Sequence, residues 1–118
     1  MILHRADRNG ITLQYHNTAL STDYIDANSG NTTNLQHIVL TKNGTEYKWY
    51  IDGINTNTKT VTNMAANDNT DTFIGQWGEV GSNYFNGEIT SPAIFNRALT
   101  STEITDLYSR GRTYNPYN

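Results

Sequence analysis

Residues 35–53, with the sequence LQHIVLTKNGTEYKWYIDG, decide the fold class of this chain. Residues 35–41 are its most apolar segment, and the Asn43-Gly44 dipeptide that follows is typical of tight hairpin turns. Residues 47–51 alternate apolar and polar side chains, which is the two-residue period of a half-buried strand. The stretch therefore predicts an antiparallel pair in which 35–41 is a central strand and Trp49 faces the core.

The same alternation continues on both sides of this hairpin, interrupted by turn residues. It predicts further strands at residues 2–5, 11–15, 24–25, 58–62, 72–75 and 84–95. The outward face of 58–62 is entirely hydrophilic, which predicts a position at a sheet edge. Residues 84–95 are predicted to form one long strand with a bulge at Gly87. About eight short strands separated by turns are typical of a sandwich or a barrel.

The hydrophobic period changes near the C-terminus. Thr100 and Glu103 match a capping box, with the threonine at the N-cap and the glutamate three residues later. Ile104 and Leu107 follow at helical spacing, and Gly111 predicts the end of the helix. One helix of about two turns is therefore expected after the strands.

The composition further limits the classes of protein to which the chain can belong. The chain has 118 residues, 36% of them hydrophobic, so it holds one domain around a small core to which eight Tyr and two Trp contribute. Eight basic residues against eleven acidic ones, without a basic block, exclude duplex nucleic acid as a partner. The sequence has no apolar run long enough to insert into a membrane, and it has no cysteine for a disulfide or a thiolate nucleophile.

Together these patterns predict an all-β fold, an antiparallel β-sandwich of the jelly-roll type with one short C-terminal helix. The sandwich domain is assigned to residues 1–111, and residues 112–118 form a C-terminal tail.

Four segments, taken together, resemble one known family. They are YIDG at 50–53, FIG at 73–75, FNGEI at 85–89 and IFNRALTSTEI at 94–104. Their order and spacing are similar to those of the laminin G-like domains of the concanavalin A-like lectin/glucanase superfamily. The resemblance implies a non-catalytic binding or adhesion module that recognises glycans or a protein partner at a cell or virus surface, and hence an extracellular, cell-surface or virion location. The alternative is a structural or decoration domain of a viral capsid or tail fibre, such as that of a phage, with no small ligand.

The beginning of the chain departs from the family pattern. Domains of the family start with additional strands that pair with the last long strand, whereas this sequence opens at residues 2–5, which resemble a strand from the middle of the pattern. Either the strand count is reduced, or the missing strands come from another chain or an upstream segment. Because proteins rarely leave an open edge or an apolar face bare, a homo-oligomer or attachment to a larger assembly is expected.

Catalytic patterns are absent from the sequence. Glucanases of the superfamily carry Glu-x-Asp-x-x-Glu on one strand, which places two carboxylates at the separation that glycoside hydrolysis needs. No such arrangement surrounds Glu46, Glu79, Glu88 or Glu103. The three histidines, His4, His16 and His37, lie singly on different predicted strands, and no G-x-S-x-G motif occurs. The chain is therefore not expected to be an enzyme.

One loop carries the residue types that sugar recognition needs, an aromatic face for C–H groups and amides or carboxylates for hydroxyls. The predicted glycan-binding residues are Gln76, Trp77, Glu79, Asn83 and Tyr84. The alternative interpretation is that Trp77 packs beneath the loop and closes the end of the sandwich.

A second cluster has the hard oxygen donors that calcium prefers. It consists of Asn67, Asp68, Asn69 and Asp71. Calcium at this loop is the only cofactor that the sequence suggests, and its remaining ligands would have to come from another loop. The alternative is a solvated turn whose Asn and Asp side chains bond the nearby backbone.

Overall fold

The structure, a computed structural model, describes residues 2–5, 10–30, 32–66, 73–75 and 84–113. The chain divides into two compact units, one formed by Met1–Ala65 with Asn96–Asn118 and the other by Ala66–Phe95. The larger unit contains all six strands of the described residues and the helix α1, Ser101–Thr113.

The strands form two antiparallel three-stranded sheets. The first contains β1 (Ile2–Arg5), β2 (Gly10–His16) and β3 (Thr22–Asp26), and the second contains β4 (Ile38–Asn43), β5 (Glu46–Ile51) and β6 (Ile54–Thr60). In each sheet the strands follow chain order, so each strand pairs with its neighbours in sequence. This arrangement confirms the antiparallel β-sandwich with a C-terminal helix.

The two sheets share one hydrophobic core. Its buried members are Tyr15, Ile25, Ala27, Tyr47, Trp49, Ile51 and Val61, with Ile11 and Leu13 packed against them. Trp49 is 0% exposed, and its indole Nε1 donates to the carbonyl of Ile25 across the sandwich at 2.9 Å. The predicted inward side of β5 is thereby confirmed, since Tyr47, Trp49 and Ile51 meet in this core.

Side chains of β6 also bond the outer edge of β3. The Ala27 N–H donates to Ile11 O on the β2 side, so the alternation of an antiparallel strand turns the carbonyls of Asp26 and Tyr24 away from β2. Asn57 Nδ2 donates to Asp26 O at 2.7 Å, and Lys59 Nζ donates to Tyr24 O at 2.8 Å. Polar side chains of β6 thus donate to backbone carbonyls on the edge of β3 that faces no other strand among the described residues.

A smaller cluster covers the opposite face of the second sheet. Tyr50, Leu99 and Ile104 are buried together there, with Val39 packed against them. The alternation in 47–51 predicts that Tyr50 faces solvent with Lys48. That prediction is wrong for Tyr50, which is 6% exposed, because the segment before α1 and the first turn of the helix lie on it.

The start of the helix confirms the predicted capping box. The Thr100 N–H donates to Glu103 Oε2 at 2.8 Å, and the Glu103 N–H donates to Thr100 Oγ1 at 3.2 Å. Arg97 adds a forked pair of bonds to the same carboxylate, at 2.8 and 2.6 Å. The predicted end at Gly111 is wrong. Gly111 does not take the positive φ of a C-terminal cap, and the helix continues to Thr113.

Acid should weaken this cap. The hydrogen bonds from Arg97 and from the Thr100 backbone lower the pKa of Glu103 from 4.5 to about 2. Because the pKa is lower in the folded chain, the stabilisation is complete above about pH 4.5 and is lost as the pH falls towards about 2. We expect the Glu103→Gln variant to melt at a lower temperature than the unchanged chain at neutral pH. Its melting temperature should also fall less between about pH 4.5 and about pH 2.

Far-UV circular dichroism at several pH values measures this difference. Asp106→Asn is the control, since Asp106 pairs only on the exposed helix surface with Arg110, at 2.8 Å. Equal acid sensitivity of Glu103→Gln and the unchanged chain would contradict the prediction.

Other strand predictions need correction. The apolar run 35–41 is not a central strand. β4 begins only at Ile38 and pairs only with β5 among the described residues. Leu35 precedes the strand and is 78% exposed. β5 is the central strand because the turns on both of its sides are tight. The edge strand predicted at 58–62 is β6, which starts at Ile54 and ends at Thr60.

The predicted strands at 72–75 and 84–95 are not formed in the parts that the structure describes. Residues 73–75 are irregular, and residues 84–95 are exposed and form no ladder beyond a bridge at Tyr84. Ser91 has a φ of 49°, and Pro92 has no N–H to donate, so the backbone cannot continue as a paired strand there. The bulge predicted at Gly87 therefore has no strand to interrupt.

Candidate functional site

A polar cleft lies on the outer face of the second sheet, beside the buried cluster under α1. The β4–β5 register places Thr41 opposite Lys48 and Asn43 opposite Glu46, all on this face. The cleft has a volume of about 250 Å³. Its lining residues are Thr41, Asn43, Glu46, Lys48, Tyr50, Ala98, Leu99, Thr100 and Ser101.

Opposite charges cancel along this cleft. Lys48 Nζ lies 2.9 Å from Glu46 Oε1, and the hydrogen bond and charge of Glu46 raise the pKa of Lys48. At the N-terminus of α1, the Arg97 guanidinium pairs with the Glu103 carboxylate at 2.6 Å. The site therefore offers many donors and acceptors without a net charge that would favour an ion of either sign.

The floor of the cleft is formed by well-packed residues. Thr41 is 8% exposed, and Tyr50 and Leu99 belong to the buried cluster. Their positions are fixed by the β4–β5 ladder and by the segment that enters α1. A ligand would meet a surface that is already formed, which lowers the entropy that binding costs.

The sequence-predicted sites lie mostly outside the described residues. This holds for Gln76, Trp77, Glu79 and Asn83 of the glycan loop and for Asn67, Asp68, Asn69 and Asp71 of the calcium cluster. Tyr84 is described and exposes 64% of its surface. Within the residues that can be described, no three His, Asp or Glu side chains converge as a metal site.

Most of the chain matches the sequence model of one protein family. The model of the laminin G-like family of the concanavalin A-like lectin/glucanases superfamily matches residues 1–105. The chain belongs to this family.

Among solved structures, the laminin G-like chain is similar to residues 221–444 of an S-layer domain-containing protein from Clostridium thermocellum. The identity is 19% and the TM-score 0.58, and the match covers 92% of this chain and 61% of that one. The likeness supports the fold, and the chain spans less than two thirds of that structure's length. No curated protein matches. The only helix in the described ranges is too short and too polar to cross a membrane.

The polar cleft of this laminin G-like domain was not predicted from the sequence. Glu46, Lys48 and Tyr50 follow each other at a spacing of two, which places them on one face of a strand. The Asn43-Gly44 turn also sets the register that brings Thr41 to Lys48. What local patterns do not show is that residues 98–101, about fifty positions later, form the other wall.

Proposed function

We propose that this laminin G-like domain is a non-catalytic module that binds glycans at an extracellular surface, either of a cell or of a virus. Domains of this kind are generally non-catalytic binding modules. The observation that carries the proposal is the 64% exposure of Tyr84, the described member of the predicted glycan set. An exposed aromatic ring beside amides is what the C–H face and the hydroxyls of a sugar require.

The proposal of a non-catalytic role rests on the groups that hydrolysis would need. The paired-carboxylate motif of the glucanases is absent from the sequence. Of the histidines whose side chains are described, His16 is exposed, and the ring of His37 packs against Tyr108 with centroids 5.8 Å apart. Neither arrangement resembles a base beside a nucleophile.

Glycan binding should depend on Trp77. A glycan array followed by calorimetry with the strongest ligand measures it. We expect Trp77→Ala to weaken binding by about tenfold or more, as for a central aromatic contact, and Trp77→Phe to weaken it less. Because Trp49 is buried and hydrogen-bonded, a change of Trp fluorescence on binding reports Trp77.

Leu35→Ala is the control for this experiment, since it removes another exposed apolar side chain and should leave the affinity unchanged. Unchanged affinity in Trp77→Ala would contradict the assignment of the loop. Failure of every glycan to bind would contradict the proposed function.

We also propose that the Asn and Asp side chains at 67–71 hold calcium in the loop. A ligand that binds only the folded state stabilises it, so the melting temperature should be higher in calcium than in EDTA. An Asp68→Asn, Asp71→Asn double variant should lose that difference. Equal melting temperatures of the unchanged chain in the two buffers would end the proposal.

A structural role in a larger assembly is the second candidate. It is favoured by apolar side chains that remain exposed in the unit Ala66–Phe95: Phe73, Ile74, Tyr84, Phe85, Ile89, Ile94 and Phe95. Exposed apolar surface of this kind marks contact sites for other proteins. This candidate predicts a homo-oligomer or a larger complex and no response to glycans, and a monomer by light scattering at micromolar concentration would count against it.

A further inference from the structure

We propose that the polar cleft on the outer face of β4 and β5 binds one neutral sugar ring. The ligand class rests on the proposed glycan binding. The location does not, since it uses none of the residues predicted for the loop at 76–84. The juxtaposition of the Thr41–Lys48 and Asn43–Glu46 pairs with residues 98–101 creates this second site.

Size limits the occupant. Pockets for drug-sized molecules span about 300–1,000 Å³, whereas this cleft has about 250 Å³. It therefore holds a single small ring, and the rest of an oligosaccharide would extend into solvent. For so small a ligand a dissociation constant on the order of 1–10 mM is expected.

Charge selects a neutral ligand. Glu46 and Lys48 form an ion pair whose side chains are both partly exposed, so neither is left as an isolated charge for an ion to neutralise. A carboxylated or sulfated sugar would face the Glu46 carboxylate. The helix N-terminus does not favour an anion either, because the Glu103 carboxylate lies there, accepting from the N–H and the hydroxyl of Thr100, and would repel it.

Hydrogen-bonding capacity selects a polyol. Every sugar hydroxyl both donates and accepts, and the cleft presents the matching groups. Lys48 donates, Glu46 accepts, and the Asn43 amide and the Thr41 hydroxyl can do both. Leu99 and Ala98 add the apolar surface on which the C–H groups of a ring can rest.

NMR titration of the intact chain with glucose, galactose, mannose and N-acetylglucosamine tests the proposal. We expect at least one of these sugars to shift the amide signals of Thr41, Lys48 and Ala98. Thr41→Val keeps the shape of a well-packed side chain but removes its hydroxyl, and it should weaken binding roughly threefold to tenfold. Lys48→Met should weaken it by about tenfold.

Thr22→Val is the matched control, because it makes the same change at an exposed position of β3 in the other sheet and should leave the affinity unaltered. Thermal melts establish that all three variants fold. Three results would each overturn the cleft proposal while the proposed function stands. They are sugar-induced shifts at Tyr84 without shifts at the cleft residues, unchanged affinity in Thr41→Val and Lys48→Met, and a preference for glucuronate over glucose. Absence of any glycan response, on the array and in solution, would overturn both.

Discussion

Replacing Trp49 with alanine is expected to lower the free energy of unfolding by about 3–5 kcal/mol. The indole is completely buried between the two sheets and touches both halves of the core. Its removal leaves a cavity that a well-packed sandwich cannot close, and it also removes the bond from Nε1 to Ile25 O. Since domains of this size are stable by only about 5–15 kcal/mol, the variant should be close to unfolding at moderate temperature.

Urea denaturation followed by circular dichroism measures this loss. Trp49→Phe helps to separate the two causes, because it keeps most of the ring volume and removes the donor. The carbonyl of Ile25 still accepts a bond from Thr12 Oγ1 at 3.2 Å, so this variant should lose only about 1–2 kcal/mol. A loss below about 1 kcal/mol in Trp49→Ala would show that Trp49 does not hold the sheets together.

Gly10→Ala is expected to destabilise the chain by about 3 kcal/mol or more. Gly10 begins β2 with a φ of 113°, a backbone conformation that residues with a side chain rarely adopt. A Cβ there would overlap Ser29 Oγ and lie 2.5 Å from Gly30 O. Ser29 cannot move away without loss, because its Oγ accepts the Ile11 N–H at 2.8 Å. Conformational strain, steric overlap and a broken hydrogen bond therefore act together.

Gly44→Ala is the matched control for that prediction. Gly44 also has a positive φ, 57°, but a Cβ there meets nothing within 4 Å. It should cost only about 1–2 kcal/mol, the penalty of the left-handed backbone. Similar unfolding free energies of the two variants would show that the overlap with residues 29 and 30 is relieved without cost.

Features that depend on neighbours in sequence could be predicted. The hairpin around Asn43-Gly44, the inward side of β5 and the Thr100–Glu103 cap all follow from residues a few positions apart. The buried state of Tyr50 could not, because it depends on Leu99 and Ile104, which arrive from the far end of the chain. The same limit applies to the cleft, whose two walls are about fifty residues apart.

The prediction of a strand at 84–95 failed for a related reason. Apolar residues at strand-like spacing favour a strand only when another strand is available to pair with them. Residues 84–95 have no such neighbour in the described sheets, and Pro92 removes one donor. Apolar side chains of this segment, such as Ile94 and Phe95, are exposed.

The bonds from Asn57 and Lys59 to the outer carbonyls of β3 also affect how copies of the domain behave at high density. A strand from a neighbouring molecule that formed a full ladder with β3 would have to donate to those carbonyls, and side chains of the same molecule already bond them. Many copies can therefore be crowded together without polymerising strand to strand along this edge.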